Sequence, residues 1–368
     1  MLFPMLCGYR TKLFIRSVMA IIGSHHPLGR SSSTMKLLST IILLTMAVAM
    51  ADRDEDAWNF YKFQFGKAHS PQEDAIRKQN FLARDRVIDK HNRENKEWQM
   101  AHNKFSDMSE EEKLNILGVK PTIRRERSVG GYYPVMDRQL PTSIDYRTDK
   151  CMQAVKDQGQ CGSCWSFAAV VPIEFNTCKK TGTAVSFSEQ MLVDCDTYDG
   201  GCNGGMYTNA WQYIKEKGGI MKSSAYSYTS GSTGLTGTTC KFDSTAVATK
   251  VTAFDWTMPY PNATVSMNFL QSEGPLPSAI KILDSFYSYA SGVYSDPACI
   301  VADENDIHHA ITVVGYGTTT ATSTTPATPY WIVRNSWGTG WGLSGYFLIK
   351  RGVNMCNIES WTAYVRVV

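Results

Sequence analysis

No run of about twenty apolar residues, the length a membrane-spanning helix needs, occurs in this sequence. No stripe of Lys and Arg faces a polyanion either, because 37 basic and 34 acidic side chains are dispersed along 368 residues, for a formal net charge of +3. These absences argue against nucleic-acid binding and against a membrane role for the mature protein. No second Cys-x-x-Cys follows Cys161 and Cys164, which removes the usual zinc or redox pairing, and no cofactor or metal is expected. No cysteine lies between Cys7 and Cys151.

What is present points to globular, exported protein. With 43% hydrophobic and 19% charged residues the chain can bury a large core, and its length suggests two or three folding units. Residues 35–51 have a basic start at Lys36, an apolar stretch to Val48 and small residues Ala47, Ala49 and Ala51, the pattern of a secretory signal. Ser39, Thr40 and Thr45 interrupt that stretch, which argues against an anchor. Residues 1–34 carry Arg10, Lys12, Arg16 and Arg30 and no hydrophobic signal core, so translation is expected to start at Met35. The expected destination is the secretory pathway, then a lysosome or an extracellular or digestive lumen. Cysteine parity agrees: ten cysteines less Cys7 leave nine, so four disulfides leave one thiol that asks for a chemical reason.

Residues 52–139 are charge-rich and show helical apolar spacing at Trp58/Tyr61/Phe65 and Ile76/Phe81/Ile88, which predicts a small helical domain. Residues 118–139 then form a basic linker with Gly118, Pro121, Arg124, Arg125 and Arg127, suited to cleavage. From 140 to 368 the composition changes and the nine remaining cysteines appear. Here a helix is expected after Cys164, and strands over Ala310–Tyr316 and Tyr330–Val333. Pro172 should bend that helix. Two Thr/Ser/Gly-rich stretches, 229–239 and 317–329, read as surface loops. Asn262-Ala263-Thr264 is a glycosylation candidate.

The chemistry concentrates in Gln158-Gly159-Gln160-Cys161-Gly162-Ser163-Cys164-Trp165, with Gly201-Cys202-Asn203-Gly204-Gly205, His309-Ala310, and Asn335-Ser336-Trp337-Gly338. Cys164 precedes a helical pattern, and a helix N-terminus favours the thiolate, the attacking form of cysteine. A histidine beside it accepts its proton, and an amide on the far ring nitrogen fixes the tautomer. These stretches resemble the papain-like cysteine peptidases of the cathepsin L branch, and the resemblance covers nearly all of residues 140–368. It implies an α+β, two-lobed papain-like fold, with a helical left lobe and a β-barrel-like right lobe, behind an N-terminal helical propeptide.

The implied function is a cysteine endopeptidase made as a zymogen, which hydrolyses peptide bonds through a thioacyl-enzyme on Cys164. The resemblance assigns His309 as base, Asn335 as its orienting amide, Trp337 as a shield over that bond, and Gln158 as an oxyanion donor. A donor of that kind is worth about 2.7–4 kcal/mol of transition-state stabilisation. His308 is the rival base, standing where the family usually has Asn or Asp. The same resemblance pairs Cys161 with Cys202, Cys195 with Cys240 and Cys299 with Cys356. Parity leaves Cys151 with Cys178. Gly204 and Gly205 are expected to bind the substrate backbone. Met206, Tyr207, Ala279, Ile307, Ala310 and Trp361 are expected to line the pocket for the second residue before the scissile bond. In cathepsin B an acidic residue matches Trp361, so an indole there predicts a shallow uncharged pocket, unless Trp361 belongs to the core. No occluding insertion lies between Asp194 and Gly205, which favours endopeptidase action.

The N-terminal helical region resembles the family's inhibitory propeptide through Glu73, Arg77, Phe81, Ile88 and Asn92, then Asn103, Phe105 and Asp107. Asn80, Arg84 and Ala101 depart from that pattern. Protonation of Asp107 and its neighbours is expected to release the propeptide in acid by ending ion pairs to the catalytic domain. Implied partners are protein and peptide substrates, the chain's own propeptide and cystatin-type inhibitors, with a monomeric enzyme. The competing readings are a catalytically silent relative that acts by binding, and a free-standing inhibitor. The intact set of Gln158, Cys164, His309 and Asn335 argues against the first, and the attached catalytic domain against the second.

Overall fold

The structure is a computed structural model that describes residues 32–95, 97–121, 139–257, 261–300, 302–323 and 326–368. Residues 1–31 of the expected leader and 122–138 of the expected linker lie outside that range. The chain forms two compact units, one ending at Phe60 and one running from Tyr61 onward. In the first, the signal-like stretch is helical, within a helix that spans Ser32–Phe65. Ile41, Leu43, Leu44, Met46, Val48 and Met50 are exposed on it. Among the described residues no helix is long and apolar enough to cross a membrane.

The second unit is α+β, and its described residues form two large hydrophobic cores, one for each lobe, with a small cluster around Cys151, Phe175 and Cys178 besides. The first is built around the helix Cys164–Thr181, whose apolar sequence buries fourteen of its eighteen residues, Pro172 among them. The helix stays one element through Pro172 and stops at Gly182, whose φ of +75° provides the left-handed cap that an L side chain resists. Helix Tyr207–Lys217 packs on it, and the Trp211 indole donates to the Ala169 carbonyl at 2.9 Å.

The second core lies on a sheet among the described residues. Its strand order is Trp98–Met100, Tyr289–Tyr294, Tyr346–Lys350, Pro329–Arg334, His309–Thr318 and Ile144–Asp145, with Leu276–Ile280 also on His309–Thr318. Aromatic side chains fill it: Tyr287, Tyr289, Trp331, Trp337, Trp341 and Phe347 are all buried. The expected strands over Ala310–Tyr316 and Tyr330–Val333 form, as an antiparallel pair with Val313 opposite Val333. Four disulfides join Cys151–Cys178, Cys161–Cys202, Cys195–Cys240 and Cys299–Cys356, and Cys164 is free.

The N-terminal helical region docks on the sheet lobe. Ser70 caps helix Pro71–Glu94, which buries Phe81, Arg84 and Ile88, and strand Trp98–Met100 pairs antiparallel with Tyr289–Gly292. Ile88, Trp98, Met100, Phe105 and Ile116 join the sheet lobe's own core, so the two segments share one apolar interior. The chain then runs as Gly118–Lys120 across the line between the lobes, where Val119 makes a parallel bridge to Gly205.

Candidate active site

Cys164 is the first residue of its helix, and the residue before it explains why the helix start stays open. A serine at that position normally turns its hydroxyl onto the first N–H groups. Here the Ser163 hydroxyl is paired with Tyr228 Oη at 2.7 Å and makes no cap bond. The helix's leading N–H groups are left for the sulfur, and the backbone N–H groups of Ala310, Gly118, Trp165 and Cys164 all favour its thiolate. The Ala310 N–H donates to Sγ at 3.3 Å, which sets the His309–Ala310 strand start directly against the cysteine.

His309 Nε2 lies 2.7 Å from Asn335 Oδ1. The same oxygen accepts the Ser336 N–H at 2.8 Å, so it is an acceptor and the ring proton belongs on Nε2. Nδ1 therefore carries the free lone pair, and it has no hydrogen-bond partner. The Trp337 ring lies against the imidazole, with ring centroids 4.7 Å apart. His308 is directed elsewhere: Nε2 meets Asp306 at 3.2 Å and Nδ1 accepts the Ile282 N–H at 3.3 Å. Only His309 is joined to Asn335.

Gln158 is wholly buried. Its Oε1 accepts the Ser336 hydroxyl at 2.6 Å, and its Nε2 donates to Cys161 O at 2.8 Å and to Ile116 O at 2.7 Å. Ser336 thus fixes both Gln158 and Asn335. Sequence reasoning passed it over, although it sits in the quoted Asn335-Ser336-Trp337 stretch. Ile116 belongs to the N-terminal segment, so that segment occupies the side-chain amide expected to stabilise an oxyanion.

The same segment fills the cleft. The Val119 N–H donates to His308 O, the Lys120 N–H to Gly205 O, and the Gly205 N–H to Gly118 O, at 2.9–3.1 Å. Gly118 passes so close to the Cys161–Cys164 turn that a Cβ on it would stand 1.7 Å from the Gly162 carbonyl oxygen. Gly204 has a φ of +106° and faces Gly118. Met206, Tyr207, Ala279, Ile307, Ala310 and Trp361 fall in one buried cluster, with Val119 packed against it. Trp361 is fully buried. Its indole N–H donates to Glu304 O at 2.6 Å and its ring meets Trp256 edge-on, so it is both cluster and core.

Burial under this cover pushes the Cys164 thiol up to about 11, against the opposing pull of the backbone N–H groups. Burial likewise brings His309 down to about 4, with Asn335 opposing and His308 adding to the fall. Thiol and imidazole are both neutral in this state at mildly acid pH.

Among the described residues no group of three or more His, Cys, Asp or Glu side chains is placed to hold a metal ion. The sequence matches the papain family cysteine proteases over residues 140–366 and the cathepsin propeptide inhibitor domain over residues 58–112. The chain belongs to the papain family. Cathepsin L of Sarcophaga peregrina is 35% identical, covering 90% of this chain and 98% of its own length. Procathepsin L of Felis catus is 35% identical over 84% of this chain and 92% of its own. Among solved structures, digestive procathepsin L 3 from the larval midgut of Tenebrio molitor superposes with a TM-score of 0.74 at 32% identity, covering 85% of this chain and 99% of that one. A papain-family peptidase that carries its inhibitory propeptide is a cysteine endopeptidase synthesised as a zymogen. Its four disulfides suit the oxidising secretory pathway.

The covered state of this papain-family zymogen predicts a reactivity change. Removing the propeptide admits water to Cys164 and His309, which lowers the thiol and raises the imidazole. Alkylation by iodoacetamide at pH 6 should be slow in the zymogen and faster by at least about tenfold after activation, a gap of one or more pKa units. Equal rates, followed by mass spectrometry of the Cys164 peptide, would refute the cover's control of the thiol.

Proposed function

We propose that Cys164 attacks the scissile carbonyl, that His309 Nδ1 takes its proton and returns it to the leaving amine, and that Asn335 holds the imidazole in the reactive tautomer. The observation that carries this reading is the Nε2–Asn335 Oδ1 bond with the Ala310 N–H on Cys164 Sγ. Gln158 Nε2 and the Cys164 backbone N–H stabilise the oxyanion, once the Ile116 carbonyl has left the amide. Gly204 and Gly205 bind the substrate strand. The enzyme acts as a monomer on protein and peptide substrates in a lysosome or a digestive lumen, and it takes cystatin-type inhibitors in the same cleft. Asn262, whose Oδ1 caps helix Ala263–Glu273, is the candidate glycan acceptor.

After activation, titration with the thiol-protease inhibitor E-64 should label Cys164 stoichiometrically. His309→Ala should lose nearly all acylation, whereas His308→Ala should keep most of it. No labelling of the wild type would favour the catalytically silent reading, and loss confined to His308→Ala would make His308 the base.

Val119, packed on the Met206–Trp361 cluster, supports a preference for modest apolar side chains at the second residue before the scissile bond. Profiling with a fluorogenic peptide library should rank Val and similar side chains high there. A strong Arg preference would remove Trp361 from the pocket.

Asp107 does not make the ion pairs to the catalytic domain that its motif leads one to expect. Asp107 is fully buried, and its side chain bonds Tyr61, Lys67 and His69, all within the propeptide. These partners tie the propeptide's own fold together, and none of them belongs to the catalytic domain. Among the described residues the ion pairs that cross are Lys104 to Asp157 at 2.6 Å, and Arg84 at 2.5 Å and Lys113 at 2.6 Å to Asp284. Burial would raise the Asp284 carboxyl, but hydrogen bonds from Arg84 and Lys113 outweigh it and hold the group below the ordinary carboxylate range. A lowered carboxyl stabilises the complex at pH above its unpaired value, and that contribution is lost as pH falls through the lowered one. Asp284→Asn should therefore activate at a higher pH than the wild type, read by the pH midpoint of propeptide loss. An unchanged midpoint would assign acid release to other groups.

A further inference from the structure

The glycine that meets the substrate strand rests on a carboxyl pair with no part in the proposed chemistry. A Cβ on Gly205 would stand 2.5 Å from Asp199 Cγ, so Asp199 lies directly beneath that backbone. Asp199 Oδ1 accepts the Met206 N–H at 3.1 Å and an Asn209 side-chain N–H at 3.0 Å, which ties the strand to the start of helix Tyr207–Lys217. Its neighbour Asp196 is buried and accepts the Tyr198 N–H through Oδ1 at 2.8 Å. The second oxygen of each, Asp196 Oδ2 and Asp199 Oδ2, is buried and receives no donor.

The groups facing the pair supply no countercharge. Helix Tyr207–Lys217 presents Asn209 and Tyr213, and the Tyr198 side chain donates away, to Glu216. Lys120 of the propeptide has its Nζ beside Gly200 and leaves on activation. Among the described residues neither carboxyl is in an ion pair. Two adjoining carboxylates in such a site cannot both ionise cheaply, and one proton between them satisfies both orphaned oxygens.

We infer that Asp196 and Asp199 share one proton and together position the Gly205–Met206 backbone for substrate, so that the cleft is ordered only while that proton is held. The inference rests on the reading of Gly204 and Gly205 as the substrate-binding strand. Burial raises Asp196, and burial with the charge of Asp196 raises Asp199, so both carboxyls stand above their ordinary range. The folded protein then binds more protons than the unfolded chain above the ordinary carboxylate pKa. Its stability falls as pH rises through the pair's titration, the opposite sign to Asp284. Without the proton, like charges repel beneath Gly205, and the Asp199 bond to the Met206 N–H is the contact placed to yield. The pair thus restricts the enzyme to acid surroundings.

Asp199→Asn keeps an oxygen for the Met206 N–H and offers an amide N–H to Asp196, which copies the protonated pair at every pH. After activation, the alkaline limb of kcat/KM should move up by about one pH unit or more, the coupling expected of interacting carboxyls. The fall in Tm between pH 5 and pH 8 should shrink. Asp196→Asn leaves the Asp199 contacts in place and should act in the same direction, which covers the case in which Asp199→Asn does not fold. Rates are normalised to sites titrated with E-64. Sites that label normally, with a pH limb and Tm loss like the wild type's in the folded variants, would overturn the pair. Failure of the wild type itself to label would instead remove the underlying reading of the cleft.

Discussion

One hydrogen bond, from the Ala310 N–H to Cys164 Sγ, joins the two halves of this molecule at the place where its chemistry lies. Cys164 begins the central helix of one lobe, and Ala310 follows His309 at the start of the longest strand of the other. Neither lobe holds both of the groups proposed to react. Their relative placement therefore depends on lobe packing, and the surrounding bonds all act on it: Ser336 holds Gln158 and Asn335, Asn335 holds His309, and Trp337 closes over them.

That dependence explains what could be read in the sequence. The helix after Cys164 and the strands over Ala310–Tyr316 and Tyr330–Val333 show as local patterns, because burial of one face imposes a period on neighbouring residues. The free thiol showed through parity, and the structure leaves Cys164 unpaired among four bridges. Distances across the cleft carry no such period. Whether His308 or His309 turns toward Asn335 is set by the register of Ile280 against His309 and by the Ile282 N–H that engages His308, and neither is visible in a His-His pair. The diversion of Ser163 to Tyr228 was equally hidden, since a serine at a helix start ordinarily reads as a cap.

The propeptide shows the same limit in another form. Its apolar spacing predicts helices, and Phe81 and Ile88 are buried as that spacing requires, whereas Ile76 of the same pattern is exposed. The role of Asp107 was misplaced because a buried acid in a recognised motif does not reveal which side of an interface its partners occupy. Arg84, a departure from the family pattern, reaches Asp284 beside Lys113. A substitution that looks like weakened inhibition in sequence is an added ion pair in space, while the cover over the site is made by backbone bonds of Gly118–Lys120 that no side-chain motif encodes.

Electrostatics then give the zymogen and the enzyme opposite demands on pH. Arg84 and Lys113 hold Asp284 charged, and that clasp weakens only as acid protonates it. Burial holds the Asp196–Asp199 pair protonated, and that support weakens as acid is withdrawn. The covered site obeys the same rule of burial: the thiol is pushed up to about 11 and the imidazole down to about 4 while the propeptide excludes water. On the proposed route, acid weakens the crossing Asp284 ion pairs, and hydration of the uncovered cleft then moves thiol and imidazole toward the ion pair that attack requires. If both proposals hold, a single fall in pH loosens the cover and keeps the Gly205–Met206 backbone ordered, whereas a return toward neutrality charges the carboxyls beneath Gly205.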